Sequence, residues 1–126
     1  MNEVEEKIAA MSEKFLKKEL YVIFSKPEVS REQITPMLPD HLAHQVDIEK
    51  RGILFAAGPL FDEGAESPRQ GMIVVRAESM DEAKKIAESD PLHKAGLRSF
   101  TVHRWIVNEG GFTVTVNYSD QSATIV

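Results

Sequence analysis

Cysteine is absent from the 126 residues, which removes disulfides, thiolate metal sites and a cysteine nucleophile, and suits a reducing compartment. Basic residues are in deficit: 15 Lys and Arg against 20 Asp and Glu give a formal charge of -5. Nucleic-acid backbones are bound through clustered Lys and Arg that release counterions, so nucleic acid is not an expected partner. No apolar run approaches the length of a bilayer span, so no membrane association is expected either. The acidic start MNEVEEKIAAMSEKF lacks the basic segment and apolar run of a secretory signal, and the expected location is cytoplasmic.

What is present is the balance of a globular chain, 42% hydrophobic and 28% charged, long enough to bury a core without staples. A single domain, 1–126, is expected. Val4, Ile8, Met11 and Phe15 recur at helical spacing over 1–18, with Asn2 and Glu5 placed as a capping box. In ELYVIFSKP both alternating sets, Leu20, Val22, Phe24 and Tyr21, Ile23, are apolar, which predicts a strand covered on both faces. A capping pair, Ser30 and Gln33, precedes a main helix from about Pro39 to Arg51, closed by Gly52. On that helix Leu38, Leu42 and Val46 make the expected core stripe, with His41 at its edge.

Downstream, ILFAAGPLF predicts a short strand broken at Gly58-Pro59, DEGAESPRQG a polar loop, and MIVVRA another strand. Ser79 and Glu82 start a helix that ends at Asp90-Pro91, and RSFTVHRWIV alternates as a strand. FTVTVNY and SATIV then form a β extension over 108–126. The core, about 20–107, therefore runs strand, helix, strand, strand, helix, strand. That order predicts an α+β, ferredoxin-like βαββαβ sandwich with two helices on one face of an antiparallel sheet. Tyr21, Ile23 and Trp105 are assigned to the other face, where a second copy of the sheet is the simplest cover; a homodimer, or a larger homo-oligomer, is expected.

DHLAH at 40–44, RGILFAAGPLF at 51–61, SMDEAKKIAESDP at 79–91, AGL at 95–97 and VHRW at 102–105 stand in an order and spacing that resembles the YCII-related family. The resemblance covers roughly 20–107. It implies a dimeric α+β barrel and a candidate active site in which a histidine on the first core helix faces the aspartate of the Asp-Pro turn, here His41 and Asp90. It also puts dehydrochlorinase-like lyase chemistry within reach. The chain departs from the family pattern in carrying Leu38 and Pro39 where an arginine often lies before the histidine, and in its added N-terminal helix and C-terminal strands.

The residues supply a rationale of their own. A carboxylate bonded to one imidazole nitrogen fixes the tautomer and raises the basicity of the other, poised for proton transfer near neutral pH. Against this stands a plainer alternative, in which His41 is a helix-surface residue and Asp90 only closes a helix. His93, just past the Asp-Pro turn, is the rival base or a substrate contact, and His103 is read as a structural strand histidine. Gly58 and Pro59 let the chain turn and can line a pocket; Trp105 is either a wall for a flat substrate or a core aromatic. Arg69 has the charge to meet a substrate carboxylate. His41 and His44, perhaps joined by Asp47, are the only candidate metal pair, and no third ligand is signposted, so neither metal nor cofactor is expected.

The function expected is acid–base chemistry, elimination or isomerisation, on a small cyclic or phenolic molecule. The alternative is a non-catalytic small-ligand-binding or accessory module of the same fold.

Overall fold

A computed structural model describes residues 2–126. Met1, the first residue of the expected N-terminal helix segment, lies outside the described residues. The chain divides into two compact units, one of Glu19–Ile106 and one of the residues up to Lys18 with Val107–Val126.

In the larger unit β1 (Lys18–Pro27), β2 (Leu54–Leu60), β3 (Gln70–Val75) and β4 (Arg98–Val107) form a four-stranded sheet in the order β2-β3-β1-β4. β3 runs antiparallel to both neighbours, with Tyr21 opposite Val75 and Ala57 opposite Ile73. The helices are α2 (Arg31–Ile34), a 3-10 turn at Thr35–Met37, α3 (Leu38–Lys50), α4 (Met80–Glu88) and α5 (Pro91–Lys94). This is the expected ferredoxin-like α+β arrangement. Pro36 and Pro39 sit within the first two positions of their helices, where a missing N–H costs nothing. Ser79 caps α4 by accepting the Glu82 N–H at 3.1 Å, while Glu82 reaches back to the N–H of Glu78.

The core cluster joins Tyr21, Ile23, Ile73 and Val75 of the sheet to Ala83 and Ala87 of α4, with Phe100 and Val102 packed against it. Tyr21 and Ile23 therefore point toward the helices, not toward the opposite face as expected from the sequence. Leu20, Val22 and Val74, of the other parity, are buried too. The alternation showed two apolar faces, and nothing in it says which face meets the helices.

Two other expectations are corrected. β2 is not broken at Gly58-Pro59: the strand runs through them, with Gly58 opposite Met72 and Pro59 opposite Gly71. An edge strand has one row of N–H groups without sheet partners, so a proline fits there. On α3, Leu42 and Val46 are 59% and 47% exposed while Ile48 is 3% exposed, so the expected stripe is not the buried one. Leu42 and Val46 line a cavity between α3 and the sheet.

In the smaller unit α1 (Glu3–Met11) has the expected Asn2–Glu5 capping box but stops short of Phe15. Its β5 (Val114–Val116) and β6 (Ala123–Ile125) pair as an antiparallel ribbon. Among the described residues no helix is long and apolar enough to cross a membrane.

Candidate active site

Asp90 does not end a helix so much as begin one. Its Oδ1 accepts the Leu92 N–H at 2.9 Å and caps α5, a single turn with Pro91 at the first position. With one oxygen engaged there, Oδ2 is aimed at α3. It accepts the His41 Nδ1–H at 2.7 Å and, more weakly, the Gln45 Nε2–H at 3.3 Å. The carboxylate is 2% exposed. Burial alone would push its pKa up, but the bonds from His41 and the Leu92 N–H outweigh burial and hold it below the ordinary 3.8. Asp90 is therefore the anion near neutral pH, which makes Nδ1 of His41 the donor and leaves Nε2 free.

His41 lines a cavity of about 550 Å³ between α3 and the β2–β3 side of the sheet. Most of the wall is apolar, including Leu38, Leu42, Val46, Leu54 and Ile73. The polar exceptions are Ser25, His41, Gln45, Glu49, Arg69, Gln70 and Arg98. Gly58 and Pro59 also line it, from within β2 and not from a turn. Gln45 Oε1 is buried and makes no hydrogen bond.

His93 has a separate set of partners. Its Nδ1–H donates to the Ala87 carbonyl at 2.7 Å, so Nε2 accepts from the Ser25 hydroxyl at 2.7 Å. Burial lowers its pKa below 6.5 against the opposing pull of Ala87 and Asp90, and the ring stays neutral. His93 is thus engaged at both nitrogens and stacks at a tilt on Phe100, away from the role of free base.

Trp105 is not among the cavity-lining residues. Arg98, Phe100 and Val102 turn toward the helices, so Trp105, of the other parity, faces away from the cavity. Trp105 is thus on the face away from the helices that the sequence assigned to it, whereas Tyr21 and Ile23 are not. His103, on the same far face, stands edge-on to Phe24. His44 does not join His41 but takes a bond with Ser89 at 3.2 Å, and no cluster of three metal-ligating side chains occurs among the described residues.

The sequence reading missed Ser25 and Arg98. Arg98 donates from Nε to Ser25 Oγ and from Nη2 to the Ser25 carbonyl, both at 2.8 Å, and Nη2 reaches the Arg69 carbonyl at 3.2 Å. These pairs are 73 and 29 residues apart and meet because β1 lies between β3 and β4, with Ser25 opposite Gly71 and Arg69 directly before β3. The one sequence-level signal was a serine and an arginine at strand ends, where the apolar alternation lapses.

A ferredoxin-like unit with a buried Asp–His pair beside a mostly apolar cavity is the class of protein these features define. A family model, the YCII-related domain, matches residues 19–106, and the chain belongs to that family. The matched stretch coincides with the larger compact unit. Among solved structures the chain resembles the 5-chloro-2-hydroxyhydroquinone dehydrochlorinase of Burkholderia phenoliruptrix AC1100, determined in complex with 2,5-dihydroxybenzoquinone. The two are 26% identical with a TM-score of 0.58, over 68% of this chain and 92% of that one. It also resembles a dimeric ferredoxin-like protein from an uncultured marine organism, 13% identical with a TM-score of 0.37, over 75% of this chain and 96% of that one. No protein of curated function matches.

Proposed function

We propose that the protein is a cofactor-independent enzyme that moves a proton on a small cyclic or phenolic compound, in an elimination or isomerisation. The observation that carries this reading is the 2.7 Å bond from His41 Nδ1 to a buried, ionised Asp90 at the wall of a cavity. With Nδ1–H donated, the free Nε2 is the general base: it takes a proton from a phenol or an acidic carbon, and Asp90 stabilises the imidazolium that forms. In an elimination the same imidazolium can return the proton to the departing group or to solvent. A cavity of about 550 Å³ has room for a single ring with substituents. Likeness to a dehydrochlorinase bound to a dihydroxybenzoquinone supports a ring substrate.

The test is a panel of hydroxylated and halogenated aromatics and lactones assayed with wild type and with His41→Asn. On any compound the wild type converts, the variant is expected to lose about 100-fold to 10,000-fold in kcat, the range for removing a general base. Full activity in the variant sinks the role. If the wild type converts nothing but still binds panel members, the binding-module reading takes its place.

The proposed working unit is a homodimer. Phe55, Phe61 and Trp105 are large apolar side chains left exposed on one chain and outside the cavity wall, the kind of surface that a second copy covers.

A further inference from the structure

Arg98 is held as a side chain is held when its position matters. Two of its nitrogens are committed, Nε to the Ser25 hydroxyl and Nη2 to the carbonyls of Ser25 and Arg69. Ser25 is itself 4% exposed and fixed by His93, so the guanidinium rests on a rigid support. Every one of these acceptors is neutral. Neither Arg98 nor Arg69 has an acidic side chain within ion-pair distance among the described residues, whose ion pairs are His41–Asp90, Arg51–Asp47 and Arg104–Glu19. Nη1 of Arg98 makes no hydrogen bond among the described residues.

A partly buried guanidinium with neutral partners keeps its charge at a desolvation cost, and burial does pull Arg98 down from its ordinary range. Around it the cavity wall is mostly apolar, which strengthens any Coulomb attraction exerted there. The one carboxylate lining the cavity is Glu49, and it is exposed. Asp90 lies near enough to raise the Arg98 pKa slightly, but its two oxygens already serve Leu92, His41 and Gln45.

We propose that Arg98, with Arg69 beside it, is an anion subsite of the cavity, so that the molecule bound there is an organic anion whose carboxylate or ionised phenol sits on Arg98 while its ring reaches His41. With Nε and both N–H groups of Nη2 taken, the two N–H groups of Nη1 are the charged donors on offer to an anion. Placing the charge on Arg98 also fixes which ring atom faces Nε2 of His41, so the subsite sets the position of proton removal as well as affinity. A plain staple between β1 and β4 would use the same bonds to Ser25 but would show no preference for charge in a ligand.

The inference rests on the proposed function only in sharing its cavity, and the experiment separates the two. Binding of 2,5-dihydroxybenzoate and of the uncharged 2,5-dihydroxybenzamide is measured by calorimetry at low and moderate salt. The acid is expected to bind about tenfold tighter or better, the size of one charge-assisted hydrogen bond, and its advantage shrinks as salt rises. Arg98→Gln brings acid and amide to equal affinity; His41→Asn leaves the preference for the acid in place. Equal affinity of the two probes for wild type, no saturable binding of the acid, or a preference that survives Arg98→Gln overturns the subsite. Should Arg98→Gln fail to fold, Arg69→Gln and the wild-type salt series carry the decision: an acid affinity insensitive to both overturns it. Turnover that is absent from wild type while the acid preference persists counts against the reaction and leaves the subsite standing.

Discussion

Asp90 does two jobs with its two oxygens, capping α5 through Oδ1 and orienting His41 through Oδ2. Asp90→Ala is therefore expected to cost about 2–3 kcal/mol in urea unfolding, the sum of a lost cap and a lost buried bond to a charged group. His41→Asn, which leaves the cap alone, is expected to cost less. His93 gives the site a pH signature. Its folded pKa is depressed below 6.5, so the unfolded chain binds the extra proton first; stability is full above about pH 6.5 and is lost as pH falls through that value toward the folded one. The groups facing the ring are Asp90, Arg98 and His41, with the Ala87 carbonyl and the Ser25 hydroxyl on its nitrogens. Thermal melting at pH 8 and pH 5.5 is expected to show a wild-type decline that is smaller in His93→Gln; an equal decline refutes the assignment. Asp90 adds a second loss, below its ordinary 3.8. The His41–Asp90 contact was legible beforehand only through resemblance, since 49 residues separate the pair and His93 stands closer in sequence. For Arg98 only the lapse in apolar alternation was legible, because its partners are chosen by strand order.

Helix punctuation carried more of the fold than burial did. Ser30, Ser79 and Gly52 marked real helix ends, and the βαββαβ order followed from periodicity. Gly52 follows α3 at φ +77° with nothing within 4 Å of where a Cβ would lie, so Gly52→Ala is a purely conformational change. It is expected to destabilise by about 1 kcal/mol, read as a lower melting temperature with activity retained. What periodicity could not supply was the partner of each face. Leu42 and Val46 follow the core spacing, yet a helix that roofs a cavity shows its apolar side to the space a ligand fills. Likewise Gly58-Pro59 has the composition of a break, and only the edge position of β2 lets it remain a strand. Asp90-Pro91 has the composition of a helix stop, yet α4 already closes at Glu88 with Ser89 as its cap, and Asp90 starts α5.

At the scale of the whole molecule, the proposed dimer is checked by sedimentation equilibrium. A mass of twice 14.1 kDa at micromolar concentration is expected; a monomer there refutes it. Phe61→Glu or Trp105→Glu, which put charge on the exposed apolar surface away from the cavity, are expected to shift the equilibrium toward monomer without unfolding the chain. The sheet order has a further result. β1 opens and β4 closes the family-matched unit as adjacent strands, and just outside them the Leu16 N–H bonds the Asn108 carbonyl at 3.1 Å. Entry and exit of that unit are therefore side by side. A short linker there, with new ends cut at the exposed Gly64 turn, gives a circular permutant that keeps every strand neighbour, and the unit can be inserted as a cassette into a loop of another protein without stretching either host or guest.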